Sequence, residues 1–449
     1  MSENLSNTLK QLALSVKRTI DDSISKGTIK PEEEVFLRWK VDKFQYTDKG
    51  TIESSSMHGE YITKPSWFHA TFKLTESIKK SDEYTSALEQ LTEIFGNDKL
   101  LSQALERFVG RLIHEYLYNS KFDTDALIST FLKELRKEPV KYGAEVELGG
   151  IVLLLDKVEP SYGITLRRPK IEDIEKEVPV YNLMQPLPIP SAILNIEILG
   201  RGANEIQRKV EQSIAILRLF KVGNVKWMRY RIYSDSITDL MAQATLTSSI
   251  TDAALEAYLV TEEDVPKLRK FWQTISNAMP SNFFEFGIAK IDYLTVAYNR
   301  YNDSLFQNGV LERRIANAVM GLEALFLKSG EIQELVYRLS FRMSKILSLL
   351  GYDPHEVRKI VSDAYKIRNI FAHGGHLSYK EKRKIELKYK NVKNLLRPLL
   401  EYLRISIIVM MLSNREKDEL IDLIDDSFVD KKREEMLNNI VSRAKDILG

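Results

Sequence analysis

Apolar positions along this chain follow two rhythms, and the places where one gives way to the other divide it into regions. Leu9, Leu12, Leu14, Val16 and Ile20, set among lysines, predict an amphipathic helix over 1–26. Val35 to Trp39 and Trp67 to Phe72 are short runs rich in aromatic and branched residues and predict strands. The polar stretch between them, Thr47 to Gly59, predicts a loop. Helical spacing returns over 83–137, carried by Leu101, Leu105, Phe108, Leu112, Leu117, Leu127, Phe131 and Leu135, and Pro139 closes it.

Strand character follows at Ala144 to Leu148 and, after the Gly149-Gly150 turn signal, at Ile151 to Leu155. Pro169, Pro179, Pro186, Pro188 and Pro190 forbid a helix over 169–190, which predicts an extended connection. Next come a strand (192–199), a helix (205–220), strands at 227–233 and 257–260, and a helix over 264–279 with Pro266 in its first turn. Gly200-Arg201-Gly202 lies between a strand and a helix. It lacks the third glycine of a dinucleotide loop and the Gly-Lys-Ser/Thr of a P-loop, so it predicts a plain turn. From 282 onward the period is helical throughout, in segments near 283–305, 311–328, 332–350, 354–373 and 379–412, with a charged helical tail beyond. The expected fold class is multidomain: α+β N-terminal and middle regions, then an all-α helical bundle. The expected bounds are a mainly helical region with some strands over 1–138, an α+β domain over 139–281, a helical domain over 282–413 and the tail over 414–449.

Composition narrows the chemistry. Cysteine is absent, which removes disulfides, thiolate metal sites and cysteine nucleophiles. The net charge is only +2 across 449 residues, so any basic surface is local. Leu399 to Leu412, the most apolar stretch, is interrupted by Glu401 and Arg404 and is too short for a span of roughly 20 residues. The start, Met1-Ser2-Glu3-Asn4-Leu5, has no charged-then-apolar signal pattern. The expectation is a cytoplasmic protein with no membrane partner.

Candidate chemistry gathers near residue 370. Val357, Ile360, Val361, Ala364, Ile367 and Phe371 mark one buried helix face, and Gly374-Gly375 predicts its end. Arg368 and Asn369 sit at the edge of that stripe and His373 in the last turn. Three of the six histidines, His355, His373 and His376, fall within 355–376. A histidine titrates near neutrality and suits proton transfer, while a forked guanidinium suits a phosphate. Chance alone would place an arginine five residues before a histidine roughly 0.35 times in such a chain, so the spacing needs its context.

That context is the span from about 292 to 375. Arg313 to Leu327, Glu334 to Arg342 and Ile367-Arg368-Asn369-Ile370-Phe371-Ala372-His373-Gly374-Gly375 together resemble the Apea-like branch of the HEPN families. The resemblance covers about a quarter of the chain and nothing before residue 280. It implies a HEPN helical bundle and a metal-independent endoribonuclease needing no cofactor, employed in defence, toxin or stress responses. Under it Arg368, Asn369 and His373 are catalytic. His373 acts as acid or base in attack of an RNA 2′-hydroxyl on the adjacent phosphate, Arg368 stabilises the developing charge, and Asn369 holds the geometry. RNA is the implied partner, with a homodimer formed through the helical domain. Residues 1–281 would sense or restrain the activity, with a regulatory ligand or protein as their partner. The other expectation is a non-catalytic bundle that binds RNA or a nucleotide, or that serves as a dimerisation scaffold.

Three supporting residues remain open. Glu323 could reach the site as a buried carboxylate or be a helix-packing glutamate paired with an arginine such as Arg338 or Arg342. Tyr365 could stack a base or simply pack. His376, like His355, could assist at a cleft or sit exposed at a helix end. Positions 368 and 373 lie about 140° apart on a regular helix. A working pair therefore needs a break at Gly374-Gly375, a second chain, or both.

Overall fold

A computed structural model describes residues 2–47, 50, 52–54, 57–96, 99–119, 121–175, 177–179, 189–239, 241, 245–247, 258–284, 292–306 and 310–448. Helix α1 (Ser2–Ser25) buries Leu5, Leu9, Leu12, Val16 and Ile20. Strand β1 (Glu32–Val41) follows, then the short pair β2 (Phe44–Tyr46) and β3 (Ile52–Ser54), and β4 (Met57–Ser66). β1 and β4 pair along their whole length, from Glu32 opposite Ser66 to Val41 opposite Met57. Part of the expected 47–59 loop is therefore strand. Its polar composition fits a ribbon whose described residues are mostly exposed.

The expected strand over 67–72 is instead the start of helix α2 (Phe68–Ile78). Its inward positions are Ala70, Leu74, Thr75 and Ile78, a helical spacing, while Phe68 and Phe72 face solvent. The aromatics that suggested a strand are surface residues, and the buried set decides the element. Helices α3 (Asp82–Phe95), α4 (Lys99–Tyr118) and α5 (Thr124–Leu135) complete the first region as expected. With α1 and α2 they enclose a core running from Leu5 to Leu132, which Ile237 also joins.

The middle region is built on β5 (Val140–Gly149), β6 (Ile151–Leu153), β7 (Lys157–Ser161) and β8 (Ile164–Arg167). The hairpin of β7 and β8 is not among the expected strands, although Val158, Ile164 and Leu166 alternate inward. In the expected extended connection, a single turn α6 (Ile171–Ile174) precedes β9 (Glu177–Pro179), which pairs with β1. Pro186 and Pro188 lie outside the described residues. Next come β10 (Ala192–Gly200), α7 (Ala203–Phe220), β11 (Lys226–Ser234), β12 (Thr245–Thr247), β13 (Tyr258–Val260) and α8 (Asp264–Ala278). Six strands form one antiparallel sheet in the order β12-β11-β5-β10-β8-β7, and β6 and β13 form a parallel pair. The Gly200-Gly202 turn serves only to enter α7. The first amide of that helix, Ala203 N–H, donates to Asp239 at 2.6 Å.

The C-terminal region is helical: α9 (Tyr293–Phe306), α10 (Leu311–Phe326), α11 (Leu335–Leu349), α12 (Pro354–Ala372), α13 (Tyr379–Tyr389), α14 (Lys393–Ser413), α15 (Lys417–Asp426) and α16 (Lys431–Leu448). The expected long helix over 379–412 is two helices. Lys390 adopts a left-handed φ of 66°, and the Asn391 side chain accepts from Asn394 N–H at 3.0 Å to start the next one. Among the described residues no helix is long and apolar enough to cross a membrane.

One buried cluster runs without interruption from Val140 to Ile447, so the sheet and the helices share a core. The C-terminus of α7 shows how they join. An α-helix ends with four carbonyls that have no partner inside it. Here Leu217 accepts from the Tyr258 hydroxyl at 2.9 Å, and Arg218 from the Tyr301 hydroxyl at 3.1 Å. Leu219 and Phe220 accept from the buried Arg404 guanidinium at 2.6 and 3.0 Å. Two of these donors come from α9 and α14, and the cation sits at the negative end of the helix dipole.

Candidate functional site

Helix α12 begins with Pro354 after the Asp353 cap, whose carboxylate accepts from His355 N–H at 2.8 Å. It buries Val357, Ile360, Val361, Ala364, Tyr365 and Ile367 against its neighbours, α10 among them. This packing brings the last turns of α10 and α12 together. Arg368 Nη2 donates to Glu323 Oε2 at 3.0 Å, and Arg368 Nη1 reaches Asn369 Oδ1 at 3.3 Å. The two charged side chains are mostly covered, with relative exposures of 27% for Arg368 and 15% for Glu323. Shielding of this kind strengthens the attraction compared with open water.

Tyr365 completes the cluster. Its ring lies 5.5 Å from the Arg368 guanidinium carbon, within cation–π range. Burial, then the hydrogen bond to Glu323 and the carboxylate's charge, push its hydroxyl up to about 12, against the pull of Arg368. The phenol therefore keeps its proton beside the carboxylate. Tyr365 both packs and reaches the site.

Glu323 pairs with Arg368, which sets it beside the candidate site and also joins α10 to α12. The pairing with Arg338 or Arg342 does not form, because those arginines serve two other carboxylates. Arg342 binds Glu331 at 2.6 and 2.8 Å and Asp425 at 2.7 and 2.8 Å, while Arg338 meets Glu331 at 3.1 Å. Glu331 and Asp425 were not singled out from the sequence. They lie in segments with no periodic signal tying them to α11, so only the packing reveals the network.

His373 stands apart. Its backbone N–H still donates to Asn369 at 3.2 Å, so the helical hydrogen-bond pattern persists to that residue. The break comes at Gly374, whose φ of 75° suits glycine. Gly374 N–H returns to Phe371 at 3.0 Å and Gly375 N–H to Ile370 at 2.9 Å, a Schellman closure. The helix therefore does not unwind before His373, and among the described residues no hydrogen bond joins its imidazole to Arg368. His373 and His376 are both exposed. His355 lies at the opposite end of α12, lining a small groove with Phe341, Lys345 and Arg358.

Arg368 keeps one demand unmet. Its Nε–H is buried and has no acceptor, as holds among the described residues for Arg338 Nε and the indoles of Trp39 and Trp272. A buried donor left unpaired costs about 1–3 kcal/mol, which an anionic oxygen would relieve. Among the described residues no group of three or more His, Asp or Glu is placed to hold a metal. A groove of about 1070 Å³ lies in the N-terminal region between the start of β1, α2 and α4, and its lining contains neither Arg368 nor His373. No known protein family, no curated protein and no solved structure matches this chain.

Proposed function

We propose that this protein is a metal-independent endoribonuclease of the HEPN kind, working as a two-fold dimer through its C-terminal helices. The observation that carries the reading is the cluster of Glu323, Tyr365, Arg368 and Asn369 at one end of α12, a turn before the exposed His373. In the proposed reaction His373 takes the proton of an RNA 2′-hydroxyl as its oxygen attacks the adjacent phosphorus. The bond to the 5′-oxygen breaks, and that oxygen leaves with a proton supplied by a general acid. The products are a 2′,3′-cyclic phosphate and a 5′-hydroxyl. Arg368, held by Glu323, meets the charge that builds on the phosphate oxygens. Asn369 fixes the guanidinium beside it. Residues 1–281 sense a trigger or restrain the activity, which suits a defence, toxin or stress role.

Five residues along a regular helix also separate Arg368 and His373 by about 7.5 Å of rise, so pairing through a second chain is the arrangement proposed. The test is a nuclease assay on the purified full-length protein with chelator present, using structured and unstructured RNAs. Loss of cyclic-phosphate products in both Arg368→Ala and His373→Ala supports the reading. Intact RNA under every activating condition tried would overturn it.

A second reading has one observation in its favour: the Arg368 guanidinium is already engaged by Glu323 within the chain. On that reading the bundle is a non-catalytic RNA-binding or dimerisation module, and the pair only braces α10 against α12. RNA binding that survives His373→Ala while cleavage is lost decides for the enzyme.

A further inference from the structure

Helix α13 differs from every helix around it. None of its residues is buried, and of its side chains only Ile385 and Tyr389 pack against the core. Residues 379–390 carry Lys380, Lys382, Arg383, Lys384, Lys388 and Lys390 against Glu381 and Glu386. Six cations less two anions is +4, although the whole chain sums to only +2. This surface element thus carries a local excess of positive charge, and it follows directly on the His373–His376 loop.

A helix polar on nearly all sides gains little from burial, yet this one is fixed firmly in place. Ser378 and Glu381 form a capping box at its start. At its far end Lys388 pairs with Asp363 of α12, and the Tyr389 hydroxyl donates to the same carboxylate at 2.8 Å. Burial opposes the charge on Asp363, but the hydrogen bonds from Lys388, Tyr389 and Lys366 outweigh it and hold the carboxyl below its usual range. Asp363 lies five residues before Arg368 on the same helix. α13 is therefore clamped to the helix that carries the candidate site.

The clamp decides which face is presented. With Ile385 and Tyr389 turned inward, the opposite stripe at helical spacing is Lys380, Arg383, Lys384 and Leu387. All four are exposed, and none of the three cations makes an ion pair among the described residues. Tyr379 at the head of the stripe is 80% exposed. Cations in a row with a free aromatic ring beside them suit a phosphate backbone whose bases can stack. A protein partner would be expected to cover a continuous apolar face, and here the stripe offers only Leu387.

We infer that the outward stripe of α13 is the track on which single-stranded RNA lies as it reaches the Arg368–His373 region, with Lys380, Arg383 and Lys384 on its phosphates. This rests on the ribonuclease reading for its direction but is tested separately from cleavage. The probe is a fluorescent 2′-O-methyl RNA 20-mer, which cannot undergo 2′-hydroxyl attack, and binding to the full-length chain is followed by anisotropy across a salt series. Each phosphate contact on a single strand contributes about 0.7 to the slope of log K against log salt. The triple variant Lys380→Ala/Arg383→Ala/Lys384→Ala should bind at least tenfold more weakly near 0.15 M salt and lose up to about 2 in slope. Its melting temperature should be unchanged. The control Lys431→Ala/Lys432→Ala/Arg433→Ala, on the basic run of α16, should bind as wild type does.

Equal affinity and slope in wild type and the α13 triple variant would overturn the inference, as would wild type that does not bind the probe. Anionic vesicles captured through the stripe, with RNA binding unaffected by the triple variant, would overturn it in favour of a membrane surface. Stripe-dependent binding by a protein that cleaves nothing would leave this inference standing and remove the ribonuclease.

Discussion

Glu323 and Arg368, 45 residues apart in sequence, meet at 3.0 Å where the last turns of α10 and α12 pack together. The contact places a guanidinium that could have been a surface charge inside a half-buried cluster with Tyr365 and Asn369. It also means that a change at Glu323 acts on Arg368 first.

Glu323→Gln should lower stability by about 1–3 kcal/mol, because the covered guanidinium keeps its charge and loses its counter-ion. Arg368→Ala should cost a similar amount. The double variant should cost less than the sum of the two, with a coupling of about 0.5–3 kcal/mol read from urea unfolding. Additive losses would mean that the pair does not form in solution.

His373→Ala should behave differently. The imidazole is exposed, so unfolding free energy should shift by no more than about 0.5 kcal/mol. Cleavage should fall by at least about 100-fold, the usual contribution of a general acid or base. Loss of the fold in this variant would mean that the histidine is structural.

The proposed two-chain site carries a stoichiometric prediction. Arg368→Ala and His373→Ala proteins should each be inactive as homodimers, whereas a mixed dimer would keep one cleft with both native groups. Random exchange of equal amounts should restore about a quarter of wild-type activity, from half of the dimers carrying one working cleft of two. No recovery after verified exchange would place the pair within one chain or remove it altogether.

Glu331 offers a pH test away from the site. Hydrogen bonding to the Arg342 guanidinium lowers its carboxyl from 4.5 to about 2, and burial opposes this only in part. The depressed value means that its stabilising contribution is complete above pH 4.5 and disappears as pH falls through about 2. A shift of this size is worth about 3 kcal/mol. Glu331→Gln should therefore be less stable than wild type at neutral pH by an amount of that order, with the gap closing between pH 4.5 and 2 in acid titrations of unfolding.

Arg404→Met should be among the most damaging single changes, at about 3–5 kcal/mol. It strips the cap from the Leu219 and Phe220 carbonyls and leaves Glu401 without its partner. Because the cap ties α7 to α14, hydrogen exchange should rise together in the sheet region and in the C-terminal helices.

The amino-acid sequence by itself determined most of the local structure. Apolar spacing located α1, the helices between 83 and 137, and α10, α11 and α12, because each buries one stripe and that stripe has a period. It also located the Gly374 stop, since a left-handed cap is a property of one residue. Local pattern misled where surface composition imitated a strand, as at Phe68 and Phe72, and where a polar ribbon paired with β1. It also missed the break at Lys390, a backbone choice that no side-chain period records. The choice between Arg368 and the pair Arg338 and Arg342 for Glu323 belonged to the tertiary structure, because all three arginines were chemically acceptable and only helix packing sets distance. The same holds for α13. Its cations stand in the sequence, and only the Asp363 clamp shows that the face carrying them is held against the helix of the candidate site.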